Sequence, residues 1–192
     1  SGTLSTYVKI GPALSNQTVF QANGVTGITI KGLNLSYGST FNGTGISFTN
    51  CNQTVILDNF IQDRNRGVVI DGGQDHTVQN NNFLDTGVDT NNPAIYLTNI
   101  TDGGLAVGAV SGNKFGGTGR QGFRIQNMNN LLIGDENVAG AHIVIEDNSG
   151  LTAHGDNGQY LLYLLTVNNI TIDNVDFSWS VNNSQRNSWA IV

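Results

Sequence analysis

Three short stretches cluster arginine and aspartate. "QDRNR" holds Asp63, Arg64 and Arg66, "DTGVDTNN" holds Asp85 and Asp89, and "GGTGRQGFR" holds Arg120 and Arg124. A planar guanidinium forks onto a carboxylate through two parallel hydrogen bonds, so such a set could grip an acidic sugar. Two carboxylates flanking a glycosidic bond could hydrolyse it. A base near the acidic hydrogen of a uronate, beside a cation, could start an elimination. The same residues could equally form a solvated, salt-bridged turn face of little energetic weight. Any joint role requires a fold that brings segments more than twenty residues apart side by side.

An internal repeat supplies that fold. "GISFTNCNQTVILDNFIQD" from Gly45 and "GVVIDGGQDHTVQNNNFLD" from Gly67 share one plan: a Gly, a short apolar strand, a polar turn, a second strand, Asn or Asp, then Phe. The second strand fits a template of aliphatic, turn residue three later and apolar residue five later. It reads Ile30-Leu33-Leu35, Val55-Asp58-Phe60, Val78-Asn81-Phe83, Val110-Asn113-Phe115, Ile133-Glu136-Val138 and Ile172-Val175-Phe177, with a degenerate copy at Ala153-Asp156-Gly158. First strands precede most of these: "GISF", "GVVI", "AIYL", "GFRI", "HIVI", "LLYL" and finally "WAIV". Such short strands cannot bury themselves alone; stacked as rungs about 4.8 Å apart they share one core. No helical periodicity persists, and the uneven repeat length suits a solenoid, whose insertions bulge from turns. The expected fold is all-β: a single-stranded right-handed parallel β-helix of about seven coils. It forms one domain over 1–192, with 1–23 an irregular first coil or cap and 24–192 regular coils.

The "VxxNxF" units and their preceding "GIxI" strands resemble the parallel β-helix repeats of the pectate-lyase-like superfamily. The opening "TVFQANGVTGITIKGLNLS" resembles the first coil of bacterial and archaeal surface proteins built from such repeats. The resemblance runs from about Gly24 onward and speaks to fold, since one scaffold hosts many activities. It implies an inward turn asparagine bonding the backbone of neighbouring rungs, a slot matched here by Asp58, Asn81, Asn113, Glu136 and Asp156. Asparagine suits that slot by offering both donor and acceptor. The enzymes' segments are missing: there is no "DPHE", no "RxPxxR" and no "NTD…DD…GHG…RIK" set.

Composition narrows the function further. A formal charge of −6 and only 8 Lys and Arg argue against a nucleic-acid partner. No apolar run reaches the roughly 20 residues of a transmembrane helix. Cys51 is alone, so no intrachain disulfide and no cysteine metal site is expected. His76 follows "DGGQD" in a turn, His142 opens a strand and His154 lies in "TAHGDNG"; their different slots argue against a shared metal, and a lone turn histidine reads as a surface residue. "DGGQD" and "HGDNG" carry oxygen ligands and glycine but lack the tandem Ca²⁺ nonapeptide; a single Ca²⁺ site has no further support, and no cofactor is expected. Sequons occur at Asn16, Asn34, Asn42, Asn52, Asn99, Asn169 and Asn182. The chain stops at "SWAIV", inside a strand pattern, which reads as a segment of a longer solenoid or an end that a neighbour covers. The expectation is a non-enzymatic module of a secreted or cell-surface protein, serving as spacer, adhesion or assembly unit. Its partners would be a glycan or a neighbouring β-helix segment, with end-to-end self-association as a further mode. The rival expectation is a carbohydrate-active domain, a lyase, epimerase, hydrolase or glycan binder, acting on an acidic polysaccharide along the Arg/Asp face.

Overall fold

The structure, a computed structural model, describes residues 7–9, 17–36, 43–86, 92–100, 105–116, 122–128, 143–146, 151–153, 160–167, 170–173, 175, 177–179 and 189–191. They form a parallel β-solenoid whose strands stack in three columns. The first column holds β2 (Phe20–Asn23), the leading half of β5 (Thr44–Leu57), the leading half of β7 (Arg66–Gln79), β9 (Ile95–Thr98), β12 (Phe123–Met128), β15 (Tyr160–Val167) and β18 (Trp189–Ile191). The second holds β3 (Thr29–Lys31), the trailing halves of β5 and β7, β10 (Leu105–Ser111), β13 (Ile143–Glu146) and β16 (Ile170–Asp173). The third holds β1 (Tyr7–Lys9), β4 (Asn34–Ser36), β6 (Phe60–Arg64), β8 (Asn82–Thr86) and β11 (Lys114–Gly116), while β14 (Leu151–Ala153) pairs with β17 (Phe177–Trp179). Among the described residues no helix is long and apolar enough to cross a membrane.

The expected count of about seven coils is corrected to about three turns. Residues 17–36, 43–64 and 66–86 run through strand and corner without interruption. Beyond Thr86 the described strands extend the ladders, but the segments joining them lie outside the described residues. A template that recognises single strands counts rungs; it does not count closed turns.

The corners explain the abundance of Gly and Asn. Counting on from the paired residues Asn23, Thr49, Asp71, Thr98, Gln126 and Leu165, the next residue in every rung has positive φ. These are Gly24, Asn50, Gly72, Asn99, Asn127 and Thr166, with φ of 67°, 49°, 77°, 54°, 55° and 54°. A later corner repeats the device with Gly32, Asp58, Asn80 and Gly112. Left-handed backbone is open to Gly and tolerated by Asn and Asp, so corner composition follows from corner geometry. Thr166 is the misfit, because a β-branched residue there is strained. Thr166→Asn, which copies Asn50, Asn99 and Asn127, should raise stability by about 1 kcal/mol. Thermal unfolding beside the parent protein checks this; an unchanged or lower Tm would refute it.

Inside the corners the side chains stack like on like. Ile46, Val68, Ile95, Phe123 and Leu162 form one fully buried column, and Phe48, Ile70, Leu97 and Ile125 another. Burial of each such side chain contributes roughly 1.5–3 kcal/mol. The rings of Phe83 and Phe115 stack at 5.2 Å and 12°. Gly67 makes room for them: a Cβ there would lie 2.6 Å from the Ala94 carbonyl oxygen and as close to the Phe83 ring.

Candidate functional site

Three predicted slots differ from their expected places. "HIVI", expected as a first strand, supplies β13 in the second column, and Ala153, expected to open a second strand, belongs to β14, which pairs with β17. The third is shifted by one residue. Ile30, Ile56, Val78, Val110, Ile145 and Ile172 share a column, whereas Val55 pairs with Thr77 and is only half-buried. The rung therefore reads Ile56-Asn59-Ile61, and the inward residue is Asn59 rather than Asp58. Asp58 is the corner residue with φ 56°, its carboxylate 3.7 Å from exposed Lys31. That ion pair is solvated and worth little.

Asn59, Asn81 and Asn113 form a buried amide ladder. Each side-chain NH₂ donates to a carbonyl one rung below: Asn59 to Ile30 at 3.0 Å, Asn81 to Ile56 at 2.9 Å, Asn113 to Val78 at 2.9 Å. Each Oδ1 accepts a backbone N–H from the rung below, from Leu33, Asn59 and Asn81 in turn, all at 3.0 Å. The amides also bond one another, Asn59 Nδ2 donating to Asn81 Oδ1 and Asn81 Nδ2 to Asn113 Oδ1. An ionised carboxylate could not take this place, having no donor. Glu136 and Asp156 lie outside the described residues.

The charged cluster separates. Arg64 is fully buried and points into the solenoid, because Asp63, at φ 55°, turns the strand's alternation by one. Arg64 pairs across the ladder with buried Thr86, which puts Asp63 and Asp85 at the same corner of successive rungs, both with positive φ. Arg66 and Arg124 take a different course. Tyr96, Arg124 and Tyr163 occupy one outward column of the first sheet, above Ser47 and Val69. The Arg124 guanidinium carbon lies 5.5 Å from the Tyr96 ring centroid and 5.1 Å from that of Tyr163. Arg66 reaches the same Tyr96 ring from the strand's leading end, at 5.7 Å. These are cation–π distances. Arg124 Nε also donates to Gln126 Oε1 at 3.0 Å, which fixes the plane of the guanidinium. Asp89 and Arg120 lie outside the described residues.

No known family, curated protein or solved structure matches the chain. The reading of the site therefore rests on its own geometry.

His76 is a buried residue, not the surface turn residue expected. It lies in the column of Thr54, whose hydroxyl is 2.8 Å from Nδ1, while Nε2 is 3.2 Å from the Gly72 carbonyl oxygen. A carbonyl can only accept, so Nε2 carries the proton and the Thr54 hydroxyl donates to Nδ1. Burial lowers its pKa from 6.5 to about 4, against smaller raising effects of the Gly72 hydrogen bond and Asp75. His142 and His154 lie outside the described residues. No group of three or more His, Cys, Asp or Glu suited to a metal ion occurs among the described residues.

The sequons divide similarly. Asn34 is half-buried within β4, and Asn52 accepts the Gln74 backbone N–H at 3.1 Å. Asn99 is exposed at a corner, donating to Asp71 at 2.7 Å. Asn16, Asn42, Asn169 and Asn182 lie outside the described residues.

Proposed function

We propose that the chain is a non-enzymatic β-solenoid module of a secreted or cell-surface protein, a stiff spacer that presents an adhesive or assembly surface. The observation that carries this reading is the amide ladder of Asn59, Asn81 and Asn113, which ties their three successive rungs together through buried hydrogen bonds. A polar network satisfied along its whole length resists both shear and register slip. Each further rung lengthens the rod by about 4.8 Å at little cost in new sequence design. The ladder also supports kinship with pectate-lyase-like β-helices of the bacterial and archaeal surface-protein type. A carbohydrate-active role is the second reading, favoured by the two arginines held on Tyr96.

Incubation with polygalacturonate, alginate and hyaluronan separates the two. The module reading expects no unsaturated uronates by ultraviolet absorbance and no new reducing ends over days. Turnover that disappears in Arg66→Ala would overturn it.

A further inference from the structure

Thr98 stands in an outward column of the first sheet, between Asp71 on the rung below and Gln126 on the rung above, yet it is only 4 % exposed. Its hydroxyl oxygen is buried and has no hydrogen-bond partner among the described residues. The other buried threonines there are satisfied: Thr54 bonds His76, and Thr86 donates towards the Ile61 and Leu84 carbonyls. A hydroxyl rotates to suit its neighbours, so one that is covered and unbonded calls for an explanation. We propose that Thr98 is a nucleophile whose Oγ1 attacks the side-chain amide of Gln126, forming an ester that staples two successive rungs. This goes beyond the module reading and does not rest on it.

The neighbouring side chains supply what such an attack requires. Rungs lie about 4.8 Å apart, so hydroxyl and amide are held as cross-strand neighbours whose approach takes only side-chain rotation. Asp71 is the base. Asn99 donates to its Oδ1 at 2.7 Å, which leaves Oδ2 to take the hydroxyl proton. Arg124 Nε donates to Gln126 Oε1 at 3.0 Å. An arginine N–H can only donate, so the amide oxygen faces the cation and the nitrogen is on the side that leaves. The same cation is already placed where negative charge gathers as Oγ1 adds to Cδ. Tyr96 and Tyr163 hold the guanidinium, at 5.5 and 5.1 Å from their ring centroids. The bond that forms is Thr98 Oγ1–Gln126 Cδ, and the bond that breaks is Gln126 Cδ–Nε2. The hydroxyl proton passes through Asp71 to the departing nitrogen, which leaves as ammonia, and the Asp71 carboxylate is regenerated. Nothing is oxidised or reduced, and no co-reactant is consumed. Ammonia diffuses away, so the reverse reaction lapses, while the cover over Thr98 keeps water from the ester.

The test is the intact mass of the full chain, followed by a peptide map. One ester makes the chain lighter than its sequence by one ammonia, about 17 Da, and the map should show the Thr98 and Gln126 peptides joined. Hydroxylamine should break that link and leave a hydroxamate on residue 126. Thr98→Val and Gln126→Glu should both keep the full mass of their sequences, whereas Thr98→Ser, which retains a hydroxyl, should still form the link. In chains followed by mass after a pulse of synthesis, Asp71→Asn and Arg124→Ala should each slow the loss roughly a hundred-fold. A parent chain that keeps its full mass would overturn the proposal. So would a loss of ammonia that persists in Thr98→Val, or one that maps elsewhere, such as to the Asn23-Gly24 step. The parent protein's own map decides the matter even where a variant fails to fold. No outcome bears on the module reading, which stands on the amide ladder and not on this column.

Discussion

Asn81→Ala should lower the unfolding free energy by about 4 kcal/mol, and Tm by roughly 10 °C, whereas the neighbouring exposed Asn82→Ala should change stability by less than about 0.5 kcal/mol. Asn81 is fully buried between two like residues, and its amide serves four partners. It accepts from the backbone N–H and Nδ2 of Asn59, and donates to the Ile56 carbonyl and to Asn113 Oδ1. Alanine leaves all four without the bond they make in the parent protein. A buried polar group that loses its partner costs about 1–3 kcal/mol, and those left close together can partly re-pair. Asn81→Asp makes a sharper test. At neutral pH the aspartate brings a buried charge and no donor, so it should be worse than alanine. Burial raises the pKa of that carboxyl, and once protonated it regains an O–H donor. Relative to the parent protein at each pH, Asn81→Asp should therefore recover as pH falls, and Asn81→Ala should not. If Asn81→Ala proves as mild as Asn82→Ala in urea titrations, the ladder does not hold the rungs together.

The ladder also shows what was readable in the sequence and where reading failed. Stacking follows from the apolar template because alternate residues of short strands must share one interior. At "TVILDNF", however, two registers satisfy the template: Val55-Asp58-Phe60 and Ile56-Asn59-Ile61. A one-residue slip exchanges inside for outside, and hydrophobicity barely separates Val from Ile. The deciding signal is chemical. The inward slot needs a donor and an acceptor, which Asn59 has and ionised Asp58 lacks, while the preceding corner needs a residue tolerant of positive φ, which Asp58 is. Arg64 was hidden for a related reason. A left-handed residue at Asp63 resets the alternation, so the next side chain turns inward, and no charge pattern reveals that. The Tyr96–Arg124–Tyr163 strip was legible and missed. Aligned first strands "GISF", "GVVI", "AIYL", "GFRI" and "LLYL" put Ser47, Val69, Tyr96, Arg124 and Tyr163 at their third position. Attention to clusters along the chain overlooks what a solenoid does, which is to assemble its surface across rungs.

His76 should make the protein lose about 3 kcal/mol of stability between pH 6.5 and pH 4. Its folded pKa of about 4 lies below the unfolded value of 6.5, chiefly because burial disfavours the imidazolium. As pH falls below 6.5 the unfolded chain takes up the proton first, and the native state is penalised. The contribution is thus fully present above pH 6.5, declines as pH falls through the window, and stops changing below about pH 4, where both states are protonated. The Thr54 contact does not oppose this, since a hydroxyl can reverse and accept from Nδ1–H; removal from water is what costs. Asp75, next in sequence and exposed, favours the charged form too weakly to cancel that cost. Surface carboxylates titrate over the lower part of the same range, so the comparison needs a variant with a neutral side chain at this position. His76→Gln keeps an amide donor for the Gly72 carbonyl and an acceptor for Thr54, and does not titrate. Urea unfolding at pH 7, 5.5 and 4 should show the parent protein falling by about 3 kcal/mol more than His76→Gln across the series. Parallel pH profiles for the two proteins would mean that this imidazole either charges freely in the folded state or sits in water, and the packing of Thr54, His76 and Gly72 at the corner between the first and second columns would have to be redrawn.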